Sequence, residues 1–250
     1  MSRILGEKIA LNQSQVADFF EQRARKFNAE TPLTAILYQD QHPEIAEERD
    51  RLERECVTPL LALSGAENVL DVGCGIGRWA SAIADQISQY HGIDASPSLI
   101  DLARTYCPRA NVAFHAAGVD DLTDAWLAAH GPFDRVICSG ILIYLDDAQV
   151  ARLLGALSRH LAPGAILYLR EPMGMAGRLS LSGHWSEELQ AHYSAIYRSR
   201  EEIAAMLAQA FPAPAFQPGP ITPLFDDAAL NNRAETRQHF CLVSKPVSAM

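Results

Sequence analysis

The stretch Val69-Leu70-Asp71-Val72-Gly73-Cys74-Gly75-Ile76-Gly77-Arg78 decides the fold of this 250-residue chain. Its apolar first half predicts a buried strand, its three glycines predict a tight turn, and a helical pattern follows. Doubly wound α/β folds bind their cofactors at such a strand–turn–helix junction. The dinucleotide spacing G-x-G-x-x-G is not met, because position 78 is Arg78. No Gly-Lys-Ser/Thr follows, which excludes a Walker-type phosphate loop.

The carboxylate of Asp71, near the end of that strand, indicates which ligand the turn accepts. Beside a pyrophosphate it would be repelled by roughly 1 kcal/mol or more at short range. Beside an ammonium or sulfonium group it would be attracted. The turn therefore favours a ligand with a cationic amino-acid end, and Asp71 and Arg78 together argue against an NAD-dependent oxidoreductase.

A second acidic residue, Asp94, ends the next apolar run, 21 residues after Gly73. An acid at this place accepts hydrogen bonds from ribose hydroxyls in nucleoside-binding α/β folds. NAD or any adenosine ligand would fit Asp94 equally well. In combination with Asp71, it points to an adenosine that carries an amino acid.

Short apolar runs alternate with helical patterns outward from this region. The runs are Asn68–Val72, Tyr90–Ile93, Val112–His115, Phe133–Cys138 and Ala165–Leu169. This alternation predicts an α/β fold, a Rossmann-like doubly wound and mostly parallel sheet with both faces covered by helices. Thr236–Ser244 is predicted to be the last strand, and residues 212–223, which hold five prolines, admit at best an edge strand.

Two helical patterns precede the alternation, at residues 13–28 and 41–63. We therefore expect an N-terminal helical cap over residues 1–65 and a ligand-binding domain over residues 66–250. Residues 172–198, of mixed character, are expected to form an insertion on the substrate side.

The charge balance excludes several partners. Lys+Arg number 21 against 30 Asp+Glu, so the net charge of −9 argues against nucleic acid. No apolar run approaches the roughly 18–20 residues of a membrane span. Charges early in the chain are unlike a signal peptide, so we expect a cytoplasmic protein with no membrane partner. The five cysteines never form CxxC and the eight histidines form no HExxH, so the sequence predicts no metal site.

Four segments together resemble the class I S-adenosylmethionine-dependent methyltransferases. They are VLDVGCGIG at 69–77, GID at 92–94, FDRVICSGILIYL at 133–145 and LAPGAILYLRE at 161–171. The likeness covers about residues 66–245. It implies a sheet of seven strands with an antiparallel last strand, S-adenosyl-L-methionine as the cofactor and S-adenosyl-L-homocysteine as the product.

The resemblance also implies roles for residues around the turn. Asp71 would lie near the methionine amino group, and the backbone of Gly73 and Gly75 would lie against the ligand. Asp94 would hold the ribose, and Ser139 would face the methionine moiety.

The family often places an Asp after the third strand to reach the adenine amino group, and Gly118 stands at that position here. The adenine contact is therefore expected from the backbone of Gly118 and Val119, with Asp120 as a substitute if the register shifts. In the cap, Tyr38 and Arg23 are candidates to reach the cofactor's carboxylate or to close the pocket.

The acceptor is predicted to be a small molecule, methylated at nitrogen or oxygen. Tyr144, Glu171 and His184 are the candidate catalytic residues, and Glu171 gives a slight lean to an amine because a carboxylate can hold a cation or act as a base. Two other interpretations stay open, a protein N-terminal amine methyltransferase with an open acidic groove and a non-catalytic S-adenosylmethionine-binding protein.

Overall fold

The computed structural model describes residues 3–231 and 233–247. The strands are β1 (Arg3–Leu5), β2 (Asn68–Val72), β3 (Gln89–Asp94), β4 (Val112–Ala116), β5 (Phe133–Ser139), β6 (Leu161–Gly174), β7 (Leu179–Ser186), β8 (Ala191–Tyr197), β9 (Gln217–Pro218), β10 (Thr222–Pro223) and β11 (Thr236–Ser244). The α-helices are α1 (Gln13–Arg25), α2 (Thr34–Leu37), α3 (Pro43–Val57), α4 (Arg78–Ile83), α5 (Pro97–Tyr106), α6 (Asp124–His130), α7 (Asp147–His160) and α8 (Arg200–Ala210).

The large sheet has the strand order β10-β11-β6-β5-β2-β3-β4. Its five strands from β6 to β4 are parallel, and β11 pairs antiparallel with β6. The proline-rich stretch contributes only two-residue edge strands, β9 and β10, because proline cannot donate to a strand ladder. The predicted α/β fold, with a mostly parallel sheet and an antiparallel last strand, is confirmed.

Side chains that alternate along the parallel strands build a core on each face of the sheet. In β2, Leu70 and Val72 pack into one cluster with residues of α7 and α8, whereas Val69 packs into the other with residues of α4 and α5. The strand order reverses beside β2, since β3 lies on one side of it and β5 on the other. Open α/β sheets bind ligands in the crevice at the carboxyl ends of strands flanking such a reversal.

The structure contains a second, smaller sheet in the order β1-β7-β8. The sequence predicted only helices for the N-terminal segment and an insertion of mixed character for residues 172–198, and it did not predict this sheet. The N-terminal segment contributes a strand as well as helices, and β6 continues to Gly174 before the β7–β8 hairpin begins. Phe19 of α1 packs against this sheet together with Tyr144, Tyr193 and Tyr197. The hairpin and the N-terminal helices therefore meet above the carboxyl edge of the large sheet. None of the helices within the described part of the chain has the length and apolarity that a membrane span requires.

Candidate active site

The glycine turn after β2 is tightly enclosed. Gly73 and Gly75 have φ of +75° and +55°, a region that side chains disfavour. A Cβ on Gly73 would lie 2.9 Å from Cδ1 of Ile141, and one on Gly75 would lie 2.7 Å from Cγ2 of Ile36. The turn thus packs between the loop after β5 and helix α2. Glycine fits these positions because any Cβ would clash with Ile141 or Ile36, and it leaves the backbone accessible to a ligand.

Asp94 is held at the carboxyl end of β3 by two backbone donors. Its Oδ2 accepts from the Gly75 amide at 3.0 Å, and its Oδ1 accepts from the Ser96 amide at 2.9 Å. Burial raises the pKa of Asp94 to about 6 despite these two hydrogen bonds. A carboxylate has about four acceptor sites, so the side chain retains capacity for two ribose hydroxyls.

Asp71 is 2% exposed, and the hydroxyl of Tyr90 donates a hydrogen bond to its Oδ2. Burial raises the pKa of Asp71 to about 7, although the hydrogen bond from Tyr90 and the charge of Arg78 oppose that shift. A cation that binds beside Asp71 would therefore stabilise the ionised form of its carboxyl group.

One cavity of about 370 Å³ lies over the carboxyl ends of the parallel strands. Eight residues predicted to bind the cofactor line it, namely Tyr38, Asp71, Gly73, Gly75, Asp94, Gly118, Val119 and Ser139. Tyr144, predicted on the acceptor side, lines it as well. These nine residues therefore surround a common space, and their contacts with a cofactor stay predictions.

Two other predicted residues lie outside this cavity. Glu171 is 1% exposed, and its Oε1 accepts hydrogen bonds from the amides of Ile141 and Leu142 at 2.9 and 2.8 Å. Burial raises its pKa to about 7. His184 lies on β7 beside Tyr193, with 6.2 Å between ring centroids. Neither side chain lines the cavity, so a direct contact of Glu171 or His184 with the acceptor stays a prediction, as does the lean to an amine.

Tyr38 and Tyr144 connect the N-terminal region to the loop after β5 through a hydrogen bond between their hydroxyls. Tyr38 adopts φ 66° and ψ −149°, a conformation that costs a residue with a side chain about 1–3 kcal/mol. Burial raises the pKa of Tyr144 far above its usual range. Both groups therefore stay protonated near neutral pH, and Tyr144 can donate or accept a hydrogen bond but cannot serve as a phenolate base.

Three arginines line the cavity, and two of them have carboxylate partners. Arg78 contacts Asp50 and Glu53 at 2.9 Å each, and Arg170 contacts Glu53 at 3.2 Å. Arg49 is 5% exposed, and only its Nε has a hydrogen-bond partner within the described residues, the carbonyl of Leu230 at 2.7 Å. Burial, followed by the charge of Arg170, lowers the pKa of Arg49 to about 10. Arg49 is thus a buried cation suited to an incoming anion.

Glu53, one turn after Arg49 on α3, is the carboxylate that pairs with both Arg78 and Arg170. It accepts from the hydroxyl of Tyr168 at 2.8 Å and from that of Ser139 at 3.0 Å, in addition to its two ion pairs. Burial opposes its ionisation, but Arg170 and Arg78 more than offset that cost and lower its pKa to about 2. Arg23, expected near the cofactor, instead binds Asp40 with both terminal nitrogens.

Comparison with known proteins places this site in a family. A family model described as "Methyltransferase domain" matches residues 69–164, which begin in β2 and end in β6. Residues 69–164 of this chain thus match a methyltransferase domain. The resemblance to class I S-adenosylmethionine-dependent methyltransferases found in the sequence is confirmed.

Curated relatives of the methyltransferase domain align over part of their length. A ubiquinone biosynthesis O-methyltransferase from Xanthomonas campestris pv. campestris is 34% identical over 115 residues, which make up 45% of this chain and 46% of that protein. The chain therefore spans about half the length of this relative. The sequence match fixes the domain type and leaves the acceptor of the whole protein to inference.

Solved structures match the fold over nearly the whole chain. The Burkholderia thailandensis 1,6-didemethyltoxoflavin-N1-methyltransferase, crystallised with bound 1,6-didemethyltoxoflavin and S-adenosylhomocysteine, superposes with a TM-score of 0.65 at 16% identity. The match covers 98% of this chain and 95% of that protein. The [4+2]-cyclase SpnF superposes with a TM-score of 0.67 at 16% identity and covers 98% of this chain and all of its own. At this identity the methyltransferase domain shares a fold with both, and the fold alone does not select between their activities.

Proposed function

We propose that the chain is an S-adenosylmethionine-dependent methyltransferase that acts on nitrogen or oxygen of a small molecule. The observation that carries the proposal is the set of charges around the glycine turn. Asp71 is a buried carboxyl group with room for a cation, and Asp94 has spare acceptor capacity. Arg49 is a buried cation whose terminal nitrogens have no hydrogen-bond partner among the described residues. These groups complement an adenosine that ends in a zwitterionic amino acid.

Each group of the cofactor has a matching residue in the cavity. Asp71 binds the ammonium group, Arg49 binds the carboxylate and Asp94 binds the ribose hydroxyls. The backbone of Gly118 and Val119 contacts the adenine ring, as the resemblance implied. Arg49 is preferred for the carboxylate because the nitrogens of Arg78 and Arg170 are already engaged by Asp50 and Glu53 or by polar neighbours.

Methyl transfer demands little chemistry from the protein beyond alignment. The cofactor supplies a methyl group on a sulfonium, and the chain's own residues orient the acceptor's lone pair toward it and exclude water. Phe20, Tyr144, Tyr197 and Phe225 give the cavity an aromatic wall on which a planar acceptor can stack. Tyr38 and Tyr144 provide hydroxyls that hydrogen-bond an acceptor's polar group.

The size of the cavity supports a small acceptor over a protein terminus. Its volume of about 370 Å³ lies at the low end of the roughly 300–1,000 Å³ typical of small-molecule sites. The N-terminal helices and the β7–β8 hairpin enclose it, whereas a peptide would need an open groove. The acidic net charge of −9 disfavours a nucleic acid.

A second candidate function is cofactor binding without methyl transfer. It is favoured by the fold shared with SpnF, which is a cyclase. The two candidates differ in turnover and agree on cofactor binding.

Methyl-labelled S-adenosylmethionine separates them. We would incubate the purified chain with the labelled cofactor and follow the label by mass spectrometry. Three panels of acceptors would be offered: the first contains phenols and carboxylic acids, the second contains small amines, and the third contains peptides with free N-termini. Transfer to a phenol, acid or small amine is the expected result. Transfer confined to peptide termini would favour the protein-directed alternative, and tight cofactor binding with no transfer in any panel would favour the binding protein.

A further inference from the structure

Three histidines from separate elements converge at the edge of the large sheet, away from the cavity. His91 lies on β3, His115 on β4 and His130 at the end of α6. Because His91 pairs with Ala113 and Ile93 pairs with His115, the two strand histidines project from the same face of the sheet. The ring centroids are 5.7 Å apart for His91 and His115, and His130 lies 5.0 and 5.2 Å from them.

The nitrogen atoms of the cluster have the spacing of metal ligands. One ring nitrogen from each histidine lies within 4.8 Å of the other two, and Nδ1 of His91 is 3.4 Å from Nε2 of His115. Two nitrogens that each bind Zn²⁺ at about 2.0–2.1 Å in tetrahedral geometry are separated by roughly 3.3 Å. We propose that His91, His115 and His130 bind one divalent transition-metal ion of the Zn²⁺ type, with a fourth coordination position left for water.

The orientation of His130 supports this assignment. Its Nδ1 lies 2.8 Å from the carbonyl oxygen of Trp126, so Nδ1 carries the proton and Nε2 keeps its lone pair. A hydrogen bond from the second ring nitrogen to a carbonyl is the usual way in which proteins orient a metal-binding histidine. The indole of Trp126 also stacks on the His130 ring, with 4.1 Å between centroids.

The ring of His91 meets a polar neighbour through its Nδ1, which faces Nε2 of His115 at 3.4 Å. Its Nε2 is buried without a hydrogen-bond partner among the described residues, so no other polar contact fixes the ring. An ion between Nδ1 of His91 and Nε2 of His115 would take the place of the direct contact between them.

Arg104, a charged residue in the region of the three histidines, already has polar partners. Arg104 donates to the carbonyl oxygen of Phe114 at 2.9 Å and pairs with Asp101 at 3.0 Å. An ion bound by the three imidazoles would link β3, β4 and α6. None of the three histidines lines the cofactor cavity, so the ion would not contact the cofactor.

The test uses Zn²⁺ and Co²⁺ with the whole chain, freed of metal by chelation and free of any cofactor. Calorimetry should give one Zn²⁺ per chain, Co²⁺ should develop the visible absorption of a tetrahedral nitrogen site, and Zn²⁺ should raise the melting temperature. His130→Ala should weaken Zn²⁺ binding by at least about 100-fold, because loss of an outer partner alone costs 10–100-fold. The control His42→Ala removes an exposed histidine at the N-terminal end of α3, outside the cluster, and this variant should bind Zn²⁺ as the wild type does.

Folding of the variant is checked independently by binding of S-adenosylhomocysteine, which uses other residues. A folded His130→Ala chain that binds Zn²⁺ with unchanged affinity would overturn the proposal. So would a wild-type chain that shows no stoichiometric Zn²⁺ binding. Neither result bears on methyl transfer, so failure here is distinguishable from failure of the proposed function.

Discussion

The hydroxyl of Tyr90 donates its hydrogen bond to Oδ2 of Asp71, so a residue of β3 orients the carboxyl group that ends β2 at the cofactor cavity. The two strands are adjacent and parallel, which makes this contact a direct result of the sheet topology. Because the pair is buried, Asp71 titrates near pH 7 until a cation joins it. The protonation state of Asp71 therefore depends on whether the bound ligand places a positive charge beside it.

Asp71→Asn should weaken binding of S-adenosylhomocysteine by about 1.5–3 kcal/mol, the contribution of a hydrogen bond to a charged group. The amide keeps an oxygen for Tyr90, so the fold should persist. Calorimetry with 5′-methylthioadenosine, which lacks the amino-acid end, is the matched control and should show no change. Equal losses for both ligands would mean that Asp71 does not face the amino group.

The wild-type chain should bind S-adenosylhomocysteine more tightly as the pH rises from about 5.5 to 8. The folded-state pKa of Asp71 is raised to about 7, so at lower pH the carboxyl group must release a proton before it can pair with the ammonium. Asp94, with a pKa of about 6, adds to the same trend. Asp71→Asn should flatten the upper part of the profile, and an unchanged profile would contradict the assignment.

Arg49→Gln should weaken the binding of S-adenosylhomocysteine by a similar amount, about 1.5–3 kcal/mol, because it removes the cation proposed to hold the ligand's carboxylate. Binding of 5′-methylthioadenosine should not change. Arg51→Gln is the control, since Arg51 lies on the same helix but is exposed and pairs with Glu48 and Glu55. If Arg49→Gln leaves both ligands unaffected, the cation faces the acceptor instead.

Glu53→Gln should lower the free energy of unfolding by roughly 3–5 kcal/mol, because it leaves the buried Arg170 without its carboxylate partner and leaves Arg78 with Asp50 alone. Urea unfolding measures this, and Glu55→Gln on the exposed side of α3 should cost far less. The folded-state pKa of Glu53 is about 2 against 4.5 ordinarily, so its contribution is present above pH 4.5 and is lost as the pH falls toward 2. The variant should therefore lose less stability than the wild type over that interval, and parallel curves would contradict the ion-pair account.

The part of the site closest to the sheet was predictable from the sequence. Asp71, Gly73 and Asp94 belong to contiguous strand–turn–helix segments, and parallel topology brings the carboxyl ends of such strands together. The relative positions of these residues therefore follow from the local sequence pattern and from the parallel topology that this pattern predicts.

The acceptor side was less predictable because it depends on how long a strand runs. The sequence suggested that the fifth parallel strand stops at Leu169, which would leave Glu171 in a loop. The strand continues to Gly174, so its side chains alternate, and Arg170 and Pro172 line the cavity while Glu171 points away.

Tertiary packing determined the remaining residues. Arg49 and Glu53 lie one turn apart on α3, and a helical pattern does not disclose which of its polar residues the sheet will bury. The histidine cluster escaped motif analysis because its members are 24 and 15 residues apart and come from three elements.

Calorimetry of S-adenosylhomocysteine and NAD on the wild-type chain and on Asp94→Ala tests the central claim most directly. Asp101→Ala serves as the control, since Asp101 is an exposed carboxylate on the helix that follows Asp94. The account predicts that S-adenosylhomocysteine binds the wild type and Asp101→Ala, that Asp94→Ala weakens it by about 1–3 kcal/mol, and that NAD binds far more weakly. Tight NAD binding without S-adenosylhomocysteine binding would contradict it.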